Sequence, residues 1–174
     1  VDRDSSGAHR RSSIEAVVLA TNIRPPERAQ HVIVAIGIDL VDIARIERLL
    51  ASKGDHSLRR LFTEAERTYA MRRPKPVVHL AARVAAKEAA YKALRGTPAA
   101  RAIGWRELEV VLAGDGSPSI LLHGGAARRA AELGVTHVHL SLTHSAGSAA
   151  AVVVLEGRQP PASEGNFGAA GIRR

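Results

Sequence analysis

Thr136-His137-Val138-His139-Leu140-Ser141-Leu142, followed by Thr143-His144-Ser145-Ala146-Gly147-Ser148 and then Ala149-Ala150-Ala151-Val152-Val153-Val154-Leu155, is the stretch that decides the fold class. Thr136, Val138, Leu140 and Leu142 alternate with His137, His139 and Ser141, the period-two signature of a half-buried strand. Residues 149–155 are a short apolar run and read as a buried strand. The segment 144–148 is short enough to join them as an antiparallel hairpin.

Working outward, residues 108–113 and 119–122 read as two more strands, with Gly114-Asp115-Gly116-Ser117 as the turn between them. Residues 126–133 predict a short helix that stops at Gly134. Residues 77–94 are the longest helix candidate, with Gly96 and Pro98 as stop signals. Before it, Thr63 and Glu66 form a capping-box pattern that opens a helix over 63–73, which Pro74 and Pro76 end. Ile43, Ile46, Leu49 and Leu50 share one face of a helix over 42–50. Val32-Ile33-Val34-Ala35-Ile36-Gly37-Ile38 is rich in β-branched residues and predicts a buried strand ending at Asp39. The order strand, helices, strands argues for an α+β fold, an antiparallel sheet with a long central helix.

That core occupies residues 31–157 of 174. Residues 1–30, with Pro25-Pro26, and 158–174, with Pro160-Pro161 and several glycines, read as a flexible extension and a flexible tail. The extension carries five basic and four acidic residues, so it is not a basic arm. Apolar residues make up 45% of the chain, enough for a globular core, but aromatics are only 3%, so Ala, Val, Leu and Ile must build it. With no cysteine, disulfides and thiolate metal sites are excluded. No apolar run approaches the roughly 18 residues that span a bilayer, and 16–20 is too short for a signal-peptide core, so a cytoplasmic protein is expected. The net charge of +8 suggests an anionic partner: nucleic acid, a phosphorylated small molecule or an acidic protein. Of the four lysines, Lys87 and Lys92 fall in the longest helix candidate.

Three segments carry candidate chemistry. In Gly37-Ile38-Asp39-Leu40-Val41-Asp42, Asp42 suits a helix N-cap, and Asp39 is left over as a carboxylate at a strand end. In Arg83-Val84-Ala85-Ala86-Lys87-Glu88-Ala89-Ala90-Tyr91-Lys92, the helical repeat places Ala82, Ala85, Ala86, Ala89 and Ala93 on one side. Another sector holds Lys87, Glu88, Tyr91 and Arg95, with Arg83 and Lys92 at its edges. Such charges commonly form a solvated face with pairs such as Glu88 to Lys92. Here cations outnumber the carboxylate, and a pyrophosphate would balance them, with Glu88 holding a metal against it. In Ser141-Leu142-Thr143-His144-Ser145, His144 sits where a strand meets a turn, as either a plain turn residue or a phosphate donor or acid–base group. His137 and His139 have a zinc-compatible spacing but need further ligands, so a polar strand face is the expectation for them.

In order and together, these segments resemble the small holo-[acyl-carrier-protein] synthases, a 4′-phosphopantetheinyl transferase family. Gly37-Ile38-Asp39-Leu40-Val41 with Arg45-Ile46 resembles the opening motif, and Phe62-Thr63-Glu64-Ala65-Glu66 a second. Arg83-Val84-Ala85-Ala86-Lys87-Glu88-Ala89 with Lys92-Ala93-Leu94 matches the most specific one, and Ser141-Leu142-Thr143-His144 the last. The resemblance covers about residues 32–156. It implies that Asp39 and Glu88 hold Mg²⁺ against the coenzyme A pyrophosphate and are the catalytic pair. Arg83, Lys87, Lys92 and His144 would contact coenzyme A, and Arg45 would face an acidic acyl carrier protein. The expected reaction moves phosphopantetheine from coenzyme A to a carrier serine, releasing 3′,5′-ADP. The family is trimeric, with active sites between subunits; the carrier can be that of fatty acid biosynthesis or one from polyketide or peptide assembly. No nucleic acid and no membrane are expected as partners. The competing reading of the charge, a nucleic-acid-binding module, is opposed by the scarcity of aromatics for base stacking and by the dispersion of the basic residues. A second competitor, a non-catalytic carrier-binding relative, is opposed by the intact Asp39, Glu88 and His144.

Overall fold

The computed structural model describes residues 31–158. The expected extension and tail lie outside the described residues, apart from Arg158.

Strand β1 (His31–Asp42) leads into helix α1 (Ile43–Leu61), followed by α2 (Glu64–Met71) and α3 (Pro76–Leu94). After two short 3₁₀ turns come β2 (Leu108–Leu112), β3 (Pro118–Leu122), α4 (Gly124–Glu132), β4 (Val135–His144) and β5 (Ser148–Arg158). Both sheets are antiparallel: β1-β5-β4 in one, β2-β3 in the other. The expected α+β class, hairpins and central helix are all present.

The local signals act as their chemistry requires. Asp42 accepts a bond from the Arg45 backbone N–H at 2.8 Å and starts α1. Thr63 and Glu66 close the capping box of α2. The Asp115 side chain accepts bonds from the Ser117 backbone N–H at 2.9 Å and the Ser117 hydroxyl at 2.6 Å, tightening the β2–β3 turn. Helix α1 continues well past residue 50, with a kink at Gly54, whose φ of 53° suits glycine.

Helix α3 is the core. Ala81, Ala82, Ala85, Ala86, Ala89, Ala90 and Ala93 are all buried, so small residues let neighbouring backbones close in from several sides. The closest approach is at Gly37 of β1, where an added Cβ would lie 1.9 Å from the carbonyl oxygen of Ala89.

Strand β1 differs from the expectation in two ways. It runs on to Asp42, so Asp39 sits within the strand rather than at its end. It is also buried on one face only. Gly37, Asp39 and Val41 turn towards α3. Ile36, Ile38 and Leu40 turn outward and are 60–69% exposed. A run that is apolar on both faces reads as fully buried from sequence, yet a single chain supplies a cover for only one of them. No helix among the described residues is long and apolar enough to cross a membrane.

Candidate active site

Strand alternation and helix pitch together build the site. Asp39 shares the inner face of β1 with Gly37, and the tight packing at Gly37 brings it up against α3. There the Lys92 ammonium donates to the Asp39 carboxylate at 2.6 Å and to the Ile38 carbonyl at 3.0 Å. Glu88, one turn before Lys92, is close enough to feel Asp39. Its carboxyl is held above the ordinary carboxylate range, first by burial and then by the Asp39 charge, against the opposing pull of Lys92, Arg45 and Arg95. Two carboxylates therefore share one partly desolvated spot within the field of three cations.

Such a spot fits a hard divalent cation. The donors are carboxylate oxygens, and their mutual repulsion, already felt by Glu88, is what a cation would relieve. Beside Glu88 lies a cavity of about 270 Å³, lined also by Lys87, Tyr91, Arg101, Ile103, Trp105 and Leu108. Arg101, Ile103 and Trp105 were missed from sequence. They sit on and between the 3₁₀ turns after α3, which have no periodicity to read.

The single cationic sector expected on α3 divides into three. Lys92 stays with Asp39 and Glu88. Arg83 lies about 140° around the helix from Glu88 and is buried against α2. Its guanidinium stacks on Tyr69, 4.2 Å from the ring centroid, and donates to the His79 carbonyl at 3.2 Å, while its Nε has no partner. His79 stands edge-on to His144, ring centroids 6.5 Å apart. Arg83, His79 and His144 thus form a second cluster, with Arg73 also over the Tyr69 ring. Burial lowers the pKa of Arg83, and burial with neighbouring Arg83 and Arg73 lowers that of His79.

Lys87 lines the cavity beside Glu88 and also knits the core together. It is fully buried, and its ammonium donates to Glu66 and to the Trp105 carbonyl, each at 2.8 Å. Glu66 also accepts from the backbone N–H groups of Thr63 at 2.9 Å and Val110 at 3.0 Å. Lys87 therefore ties α3 to α2, β2 and the 3₁₀ turn while lining the cavity beside Glu88. Arg45 is exposed on α1, within the electrostatic reach of Glu88.

Asp39 and His144 both lie on the helix-facing side of the main sheet. Asp39 pairs with Ala151, and Ala149 of the same strand pairs with His144. Two strand spacings, about 10 Å, separate β1 from β4, with α3 over the ground between them. Within one chain, then, the carboxylate pair and the Arg83–His144 cluster occupy opposite flanks of α3.

Residues 35–153 match the profile of the 4′-phosphopantetheinyl transferase superfamily. The chain belongs to that superfamily. Among similar proteins of this superfamily, a holo-[acyl-carrier-protein] synthase of Anaeromyxobacter sp. is 48% identical over 131 residues, covering 74% of this chain and 99% of that one. The corresponding synthase of Solidesulfovibrio magneticus is 48% identical over 122 residues, covering 70% and 97%. Among solved superfamily structures, the Neisseria meningitidis synthase superposes with a TM-score of 0.63 at 30% identity, covering 71% of this chain and 98% of its own. The Bacillus anthracis synthase, in complex with CoA (3′,5′-ADP), gives 0.57 at 35% identity, covering 72% and 97%.

Proposed function

We propose that this chain is a holo-[acyl-carrier-protein] synthase that uses the Asp39–Glu88 site on one subunit together with the Arg83–His144 cluster of another. It transfers the 4′-phosphopantetheine group of coenzyme A to a serine of an apo acyl carrier protein. The observation that carries the residue assignment is the meeting of Asp39 and Glu88, from a strand and a helix, beside a cavity and within reach of Lys92, Arg45 and Arg95.

In the reaction, the serine hydroxyl forms a bond to the phosphorus nearer pantetheine as the bond from that phosphorus to the bridging oxygen breaks. 3′,5′-ADP leaves with that oxygen, and the serine hydroxyl proton is released. Such a transfer depends on positioning and on neutralising charge. Asp39 and Glu88 would hold Mg²⁺, which when bound withdraws charge from the pyrophosphate oxygens. Lys92 holds the Asp39 carboxylate in place and adds a positive charge beside the phosphates. Arg83 and His144 supply donors to the nucleotide end. Lys87, on the wall of the cavity, adds positive charge towards coenzyme A and also fixes the helix that carries Glu88 and the Trp105 wall. Arg45, exposed near the carboxylates, receives the acidic carrier protein.

Two features support assembly as a trimer. One is the uncovered apolar face of the main sheet, with Ile36, Ile38, Leu40 and Val152 exposed; such a contiguous patch marks an interaction surface. The other is the separation of the two ligand clusters on opposite flanks of α3, which a neighbour's complementary flank would complete. A cytoplasmic place in fatty acid biosynthesis belongs to the same proposal.

Intact-mass spectrometry of an apo acyl carrier protein, incubated with this chain, coenzyme A and Mg²⁺, tests the function. The carrier is expected to gain one phosphopantetheine. The gain should disappear with EDTA and with Asp39→Ala. Full transfer in EDTA, or by Asp39→Ala, would overturn the metal assignment.

A further inference from the structure

On the outer face of the main sheet, at the end away from Asp39, three imidazoles lean over one carboxylate. His31 Nδ1 is 2.5 Å from Glu156 Oε1, and His139 Nε2 is 2.6 Å from Glu156 Oε2. The His137 ring lies between, its centroid 5.8 Å from that of His31 and 6.3 Å from that of His139. One ligand atom from each of His31, His137 and Glu156 falls within 4.8 Å of the others. We propose that His31, His137 and Glu156 form a second metal site, one for a nitrogen-preferring transition ion of the Zn²⁺ class, with His139 holding the carboxylate from outside.

The backbone prepares this cluster. Strands β1 and β4 flank β5, and each carries an irregularity in register beside Glu156, between Ile33 and Ala35 in one and between Val135 and His137 in the other. A bulge sharpens the local twist and re-aims side chains. Two bulges straddling Glu156 turn His31 and His137 onto it from either side.

Proton placement favours a metal as well. The Thr136 hydroxyl donates to the Glu156 backbone carbonyl at 3.3 Å, so towards His137 Nδ1, 3.1 Å away, it acts as the acceptor. In the tautomer with its proton on Nδ1, His137 has its Nε2 lone pair free for a metal. His139 plays the outer part, hydrogen-bonded to the carboxylate oxygen that His31 does not touch. In a single chain the side chains are open, His31 47% and His139 56% exposed, with Glu156 at 26%; they share the outer sheet face proposed to join subunits, at the end away from Leu40.

The donor set selects the ion. Two imidazoles and one carboxylate suit Zn²⁺ and its neighbours, and not Mg²⁺, which prefers oxygen alone. Three protein ligands leave a position for water. Eight residues of strand, roughly 26 Å, separate His31 from Asp39, and the two sites lie on opposite faces of the sheet. This proposal therefore stands independently of the catalytic reading. Bound metal would clamp the start of β1 to β4 and β5.

The test is calorimetric titration of the full-length chain with Zn²⁺ in excess Mg²⁺, which occupies the carboxylate pair. Wild type and Asp39→Ala are both expected to bind about one Zn²⁺ per chain. The double variant His31→Ala/His137→Ala should lose that binding, and His139→Ala should weaken it by about 10- to 100-fold, the usual effect of losing an outer partner. Zn²⁺ should raise the thermal midpoint of wild type and leave that of the double variant unchanged. These exposed histidines can be removed without disturbing the core, and circular dichroism of the metal-free variants checks this. Equal Zn²⁺ binding by wild type and the double variant, or none by wild type, would overturn the site.

Discussion

At the scale of single residues, the informative group is Glu88, a carboxylate kept in a place that disfavours its charge. Its pKa in the folded chain is raised, first by burial and then by Asp39. Such a group contributes stability below its unfolded pKa, and that contribution is lost as pH rises through the folded value. Once Glu88 is ionised, the metal-free site therefore carries a strained charge. Glu88→Gln removes it. Without metal, the variant should melt at or above the wild-type midpoint at neutral pH, while transfer to the carrier is lost. Mg²⁺ should raise the midpoint of wild type and not that of the variant. The benefit to wild type should fade as pH drops through the raised Glu88 value, because protons compete for the same oxygens. Differential scanning with and without Mg²⁺ across pH measures both effects. A Glu88→Gln chain that still transfers, or that melts well below wild type without metal, would refute this account.

At the scale of elements, the position of Asp39 depends on how closely β1 lies on α3. Gly37 permits that approach: a Cβ there would meet the Ala89 carbonyl at 1.9 Å and the Ala93 amide nitrogen at 3.0 Å. Both are helix backbone and cannot swing aside. Gly37→Ala must therefore lift the strand, and Asp39, two residues on, moves with it. A stability loss of about 1–3 kcal/mol is expected from overpacking. A displacement near 1 Å in a reacting geometry costs about 100-fold in rate. Urea unfolding and carrier-transfer kinetics would measure the two together, and wild-type values in both would remove Gly37 from the argument. The same comparison explains what the sequence could and could not reveal. Alternation in 136–142 and the small-residue face of α3 gave away the hairpin and the core helix, because both patterns are local. Asp39 and Glu88 stood out because capping accounted for Asp42 and not for Asp39, and because Glu88 was a lone carboxylate among cations. The buried ion pair of Lys87 stayed hidden for the opposite reason. Its partner Glu66 is 21 residues away in sequence and already had a local role as a capping-box residue, so nothing nearby signalled a buried pair. Arg101, Ile103 and Trp105 lay in irregular turns, where only the folded chain shows which way a side chain points.

At the scale of the whole molecule, two incomplete features point to the same remedy. The outer face of β1 and β5 is apolar and uncovered, and the Asp39–Glu88 pair lies on the opposite flank of α3 from Arg83 and His144. In a closed ring of three chains, each interface is head-to-tail, so it joins one flank of a subunit to the other flank of its neighbour. An Asp39→Ala chain and a His144→Ala chain would each be defective at every interface when alone. Mixed in one ring, they regenerate some interfaces with an intact Asp39 side and an intact His144 side. Random exchange of equal amounts restores roughly one interface in four, so about a quarter of the wild-type rate is expected from two nearly inactive proteins. The measurement is carrier-transfer rate after the two variants are mixed and exchanged, with sedimentation to establish a particle of about three 18.5 kDa chains. Leu40→Glu, placed on the exposed apolar face, should reduce the particle to one chain and abolish transfer while leaving the inner face of β1 undisturbed. If mixing restores no activity although trimers have exchanged chains, the two clusters do not share a site. If Leu40→Glu remains trimeric, the sheet face is not what joins the subunits.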